Sequence, residues 1–184
     1  MDRELVEQAR RADREAFAVL VHQVSDSLYA VAFRILRDST LAEDALQNAL
    51  VLAWRRLPKL RDPDRFEAWI HRILVHACYD EFNRARSKRP TFVTVLPNDH
   101  PGVPDTSSSV ADRDELERAF RSLTVEQRAV FVLHHYVGLP LVEVADVLGI
   151  PAGTARSRLH YAIAKLRQAL TASADAIARE GRLA

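Results

Sequence analysis

The chain has 184 residues, 48% of them hydrophobic and 28% charged, enough for one medium domain or two small ones. Its formal charge is +1, so no global basic field marks a nucleic-acid binder, and any such binding has to come from local patches. Cys78 is the only cysteine, which excludes an internal disulfide and a cysteine-rich metal site and fits a reducing compartment. The N-terminus is charged from its second residue, and no run reaches the roughly eighteen apolar residues of a membrane span. A cytoplasmic protein without membrane insertion is expected.

Glycine is scarce, and apolar residues recur at helical spacing along nearly the whole chain. Asp13 to Leu36 reads as a helix or two, with Phe17, Leu20, Val21, Val24, Leu28, Val31 and Ala32 turned inward. Ser39 or Thr40 is placed to cap a second helix, Leu41 to Leu57, which Pro58 stops. Leu46, Leu50, Ala53, Trp54 and Leu57 form its expected core stripe. Asp62 is a good cap ahead of Pro63 at the first position of a third helix. Its expected inward face is Phe66, Trp69, Ile70, Ile73, Leu74 and Ala77. That helix ends in Asn83 to Arg89, with four basic residues among seven.

From Pro90 to about Val110 the pattern breaks. Four prolines, one glycine and a serine/threonine cluster cannot sustain a helix, and only Thr91 to Val95 alternates like a strand. The fold class expected is therefore all-α: two small helical domains joined by a flexible linker at about 90–111, able to move relative to each other. In the second block Asp112 to Arg121 reads as a helix. Thr124 with Gln127 three residues on makes a capping box for the next helix, which ends near Gly138. Leu141 to Leu148, a turn at Gly149 and Ile150, and a last helix from Pro151 to Leu170 follow.

The segment from Pro140 to Tyr161 is the most specific local signal. A short helix carries Val144, Ala145 and Leu148. Gly149 supplies a left-handed residue, and Pro151 starts the next helix with φ preset. This is a helix-turn-helix, a motif that puts its second helix into the DNA major groove. In that helix Ala155, Leu159, Ile163, Leu166 and Leu170 share one stripe. The opposite side carries Gly153, Thr154, Ser157 and Tyr161, flanked by Arg156, Arg158 and His160. Hydroxyl and guanidinium groups there can reach phosphates and base edges.

Two faces of the first block are also candidates. On the Leu41 to Leu57 helix, Val51 sits among Asp44, Gln47, Asn48 and Arg55, an apolar residue with a polar rim, as in a protein contact. The basic cluster after Asn83, near Phe66, Trp69 and Tyr79, can hold phosphates while an opened strand is captured. Each also reads as ordinary solvated surface, and Phe66 and Trp69 as core. Among the seven histidines no metal-ligand spacing stands out. His71 and His76 are five apart rather than four, and no metal or cofactor is expected.

Four motifs in this order carry a resemblance: Leu41 to Leu57, Phe66 to Ile73, Leu123 to Phe131, and the helix-turn-helix ending in Gly153 to Leu159. Together they resemble the extracytoplasmic-function (ECF, group 4) sigma factors of the sigma-70 family. The likeness covers about residues 10–170. It implies region 2 at 10–89 and region 4 at 112–171. It implies a transcription initiation factor that binds core RNA polymerase and has no catalytic site of its own. Asp44, Gln47, Asn48 and Val51 would dock on the clamp helices of the largest catalytic subunit. Lys59, Arg61 and Asp62 would lie in the loop that pockets a flipped −10 base. Arg72, His76, Tyr79, Asn83 and Arg84 would support melting and backbone contact. Thr154, Arg156, Ser157, Arg158, His160 and Tyr161 would read the −35 duplex of promoter DNA. The resemblance also implies an anti-sigma factor as a partner. A helix-turn-helix regulator independent of polymerase, a pure protein-interaction module and an enzyme are the competing readings. The first has a similar second block but would not explain residues 41–89, and for an enzyme no nucleophile–base constellation or phosphate loop appears.

Overall fold

The computed structural model describes residues 2–88 and 117–180, and all regular structure among them is helical. The expected linker, the strand-like Thr91 to Val95 and residues 112–116 of the expected helix lie outside the described residues.

Helix α1 (Arg3–Arg10), not among the expected elements, is capped by Asp2, whose side chain accepts from the Glu4 N–H at 2.9 Å. Val6 and Ala9 bury its inner edge. Helix α2 (Arg14–Leu36) is capped by Asp13 and ends at Arg37, which takes the left-handed conformation at φ 58°. By length and composition α2 is apolar enough to cross a membrane, contrary to the expectation that no segment is. Its apolar side is packed: Leu20, Val24, Leu28, Val31 and Ile35 are buried, with Phe17 and Val21 half-buried.

Helix α3 (Ser39–Arg56) begins two residues before its expected start at Leu41. The cap is Asp38, which accepts from the Leu41 N–H at 3.0 Å, while Ser39 and Thr40 are inside the helix. A carboxylate there also opposes the positive end of the helix dipole. The buried stripe of α3 differs from the expected one. Ala42, Ala45, Ala49 and Ala53 are buried, whereas Leu46, Leu50 and Trp54 are half-buried at the flanks. The cause is proximity. α3 packs against both α2 and α4, and at such contacts a methyl group fits where a branched side chain would not. Trp54 instead lies against Phe17, ring centroids 4.9 Å apart.

A tight turn at Leu57–Lys59 follows, and another at Pro63–Arg65 leads into helix α4 (Phe66–Lys88). Asp62 caps the second turn as expected, accepting from the Asp64 N–H at 3.0 Å. Ile70, Leu74, Ala77 and Cys78 bury the inner side of α4, while Trp69 is only half-buried.

The second module opens with a helical segment at 117–121. Helix α5 (Val125–Phe131) has the expected capping box: the Gln127 N–H donates to Thr124 Oγ1 and the Thr124 N–H to Gln127 Oε1. It continues into a wider turn, Val132–Tyr136, and Gly138 takes a positive φ of 85°. Helix α6 (Leu141–Leu148) ends at Gly149, φ 65°, whose left-handed backbone no branched residue adopts without strain. Helix α7 (Ala152–Glu180) runs past the expected end at Leu170.

The two modules pack against each other in the structure. Val130, Leu133, Val144, Leu148 and Leu159 belong to the same buried cluster as Leu28, Ile35, Leu74 and their neighbours. α2 packs on α5 and its wider turn, and α4 packs on α6. Among the described residues, Ala119, Leu123, Ala162 and Leu166 form a smaller cluster local to the second module.

Candidate nucleic-acid interface

Three surfaces carry the residues singled out from the sequence. On α3, Asp44, Gln47, Asn48 and Val51 are all exposed, and their spacing of three, four and seven keeps them on one face. Val51 is 49% exposed, an apolar centre inside a polar rim. Asn48 is not free within that face. Its Nδ2 donates to Glu81 Oε1 at 2.7 Å, and Arg84 Nη1 donates to the same oxygen at 2.5 Å. Glu81 is 3% exposed. Two donors on one oxygen satisfy a charge that burial would otherwise penalise. The sequence reasoning missed Glu81, although an acid in line with Ala77 and Leu74 on the inner side of α4 is the signal that could have found it. The bridge ties the α3 face to the basic end of α4.

On the loop and α4, Lys59, Arg61 and Asp62 are exposed, with Asp62 holding the turn through its cap. Arg72, His76, Tyr79 and Asn83 follow at steps of four, three and four, so they form one stripe along α4. Arg72, His76 and Asn83 are exposed, as is Arg84 beside them. Tyr79 is different. Its hydroxyl is buried without a hydrogen-bond partner among the described residues, and burial pushes the phenol well above its ordinary value, partly offset by the positive charge of Arg158. Tyr79, on the first module's stripe, thus lies within electrostatic reach of Arg158 on α7. Beside the stripe, burial lowers His71, whose Nδ1 lies 2.7 Å from the Glu67 carbonyl oxygen.

On α7, Arg156, Ser157, His160 and Tyr161 project into solvent, Tyr161 being 62% exposed. Thr154 and Arg158 are half-buried. The Ser157 hydroxyl donates to the Thr154 carbonyl at 3.0 Å, which fixes its direction. Ala155, Leu159, Ala162 and Leu166 anchor the opposite side. The Ile150 N–H closes back onto the Ala145 carbonyl at 3.0 Å, so the turn holds the start of α7 at a set angle to α6. The start of the helix is thus presented with small and hydrogen-bonding side chains outward, as base-edge reading requires.

Among the described residues, no three of His, Cys, Asp and Glu gather in a way that could hold a metal ion. Cys78 is buried, and burial pushes its thiol up to about 12, so it is held protonated and unreactive.

Comparison with known proteins bears on both modules. Residues 20–88 match the family described as Sigma-70 region 2, and residues 119–168 match Sigma-70, region 4. The ECF RNA polymerase sigma factor SigM of Mycobacterium tuberculosis (strain ATCC 25618 / H37Rv) is 35% identical over 169 residues, covering 92% of this chain and 84% of that protein. The solved structure of CnrH in complex with the cytosolic domain of CnrY has a TM-score of 0.67 at 28% identity, covering 93% of this chain and 97% of the other. A sigma factor RpoE from Bartonella quintana, solved with the anti-sigma factor NepR, shares the fold at TM-score 0.70 and 23% identity, over 84% and 96% of the two chains.

Proposed function

Since this chain belongs to the ECF RNA polymerase sigma factors, we propose that it is an alternative sigma factor of group 4 that directs core RNA polymerase to a particular set of promoters. The observation that carries this reading is the occurrence, on one chain and in order, of regions 2 and 4, each exposing a polar face suited to its task. Region 2 is taken as 10–89 and region 4 as 112–171. Asp44, Gln47, Asn48 and Val51 dock on the clamp helices. The loop with Lys59, Arg61 and Asp62 takes a flipped −10 base, and Arg72, His76, Tyr79, Asn83 and Arg84 hold the opened strand. Thr154, Arg156, Ser157, Arg158, His160 and Tyr161 read the −35 duplex.

The division of labour follows from energetics. Unpairing and unstacking costs a few kcal/mol per flipped base. A chain of charge +1 has little general attraction for DNA to offset that. Mounted on polymerase, two weak sites become one bivalent reader whose spacing the larger enzyme sets. The protein works in the cytoplasm, performs no catalysis itself, and is held in check by an anti-sigma factor that covers its polymerase- and DNA-facing surfaces.

In vitro transcription with purified bacterial core polymerase on a genomic fragment library, with start-site mapping, tests this. New start sites preceded by a shared pair of upstream elements are expected. Failure to bind core or to redirect initiation would refute it. On a mapped promoter, Arg156→Ala alters base preference in the upstream element and Asn83→Ala in the downstream one, with about 1–3 kcal/mol of discrimination lost for each base-reading contact. Shifts at the same bases for both variants would contradict the two-reader assignment.

A further inference from the structure

Glu81 is 3% exposed, on the side of α4 that meets α3, where packing alone is served as well or better by an apolar residue. A carboxylate there is costly unless it is paired and hydrogen-bonded, and both of its donors come from the surface. Asn48 Nδ2 reaches Oε1 of Glu81 at 2.7 Å, and Arg84 Nη1 reaches the same oxygen at 2.5 Å. Asn48 and Arg84 are themselves exposed. The first lies on the face assigned to polymerase, the second at the end of α4 assigned to the opened strand. By helical spacing Arg84 stands on the flank between Glu81 and the stripe at Asn83.

A carboxylate only accepts hydrogen bonds. Asn48 therefore turns its amide N–H groups inward, which leaves Oδ1 as an acceptor for whatever docks on α3. Arg84 commits one nitrogen to Glu81 and keeps Nε and Nη2 as donors for phosphate. A single buried oxygen thus sets the hydrogen-bonding polarity of one surface and the seat of a cation on another. We infer that Glu81 is a positioning residue for both binding events, presenting an acceptor at Asn48 to polymerase and a held guanidinium at Arg84 to the phosphates of the opened strand. This rests on the functional reading above, which assigns the two faces. Because the donors share one acceptor, each bond depends on the other.

Glu81→Gln keeps the shape but offers an amide that donates as well as accepts, so Asn48 is free to turn over and Arg84 loses its charged partner. The holoenzyme carrying it should bind a fluorescent single-stranded oligonucleotide, taken from the downstream element of a mapped promoter, about fivefold more weakly. Its affinity for core polymerase should fall about threefold. Arg84→Ala alone should weaken oligonucleotide binding about tenfold and reduce the slope of log affinity against log salt by about 0.7. In the Glu81→Gln chain the same change should cost only about twofold more, because the seat is already lost. Asn48→Ala should likewise add little to the loss of core binding. Glu81→Gln should itself flatten the salt slope, which a mere loss of folded protein would leave unchanged.

Unchanged oligonucleotide affinity and salt slope in Glu81→Gln, or full additivity with Arg84→Ala, would overturn the inference. Arg84→Lys tests the seat without touching a buried group. It keeps the charge but not the planar fork, and should lose about threefold in oligonucleotide affinity. Full affinity there would equally overturn the seating. Failure of the unmodified chain to bind core polymerase or the oligonucleotide counts against the functional reading. Normal binding by that chain beside an inert Glu81→Gln counts against Glu81 alone.

Discussion

The two surfaces proposed to read DNA differ in how they are held. The recognition face of α7 lies in the first turns of its helix, set by Gly149 and anchored from beneath by Ala155 and Leu159, with Arg156, Ser157, His160 and Tyr161 open to solvent. The α4 stripe lies along the length of a helix, and its middle is covered by the other module. The first surface depends on local chain geometry and is ready as folded. The second is also laid out by helical spacing, with Arg72, His76 and Asn83 exposed, but the other module packs close to it at Arg72.

Four measurements sharpen or break this contrast. The largest effect is expected from Leu133→Ala. Leu133 is fully buried in the cluster that joins both modules, so the loss should be about 2–5 kcal/mol in chemical denaturation, through a single transition. Two transitions with only one displaced would mean the modules are held independently. Next, Ala49→Leu forces a branched side chain into the fully buried alanine stripe of α3, and about 1–3 kcal/mol of stability should go. A neutral result would mean the alanine stripe has room to spare.

Asp44→Arg should weaken binding to core polymerase about tenfold while leaving the melting temperature in place, because the residue is exposed. Unchanged affinity would remove Asp44 from the docking face. The smallest effect concerns His71. Burial lowers its pKa from the ordinary 6.5, so the folded protein favours the neutral ring. Its contribution to stability is present above that value and is lost as pH falls through the folded value. His71→Gln should flatten the decline in stability between about pH 7 and 5, which thermal melts across that range would register.

Much of the fold is legible in the sequence because it depends on neighbours in the chain. The Thr124 and Gln127 box, Asp62 before Pro63, and the Gly149 turn all involve groups two to four residues apart. The outward set on α7 follows from its own periodicity. The inner side of α3 does not. Leucines and a tryptophan are the stronger hydrophobic signal, yet the alanines are the buried ones, because distance between helices rather than transfer free energy decides which residues fit. Glu81 was missed for a related reason. An isolated acid reads as surface until Asn48, 33 positions earlier, and Arg84 are brought against it.

The sequence by itself determined the all-helical character, most helix boundaries, the helix-turn-helix and the family, since hydrophobic period, caps and motif spacing are short-range properties. Tertiary structure alone decided that the two modules share one apolar cluster, that Arg72 comes up against Gly149, and that Arg34 reaches Tyr136. Those pairings join residues up to about a hundred positions apart. Which apolar face finds which depends on shape and closeness of fit in three dimensions, which no local pattern encodes.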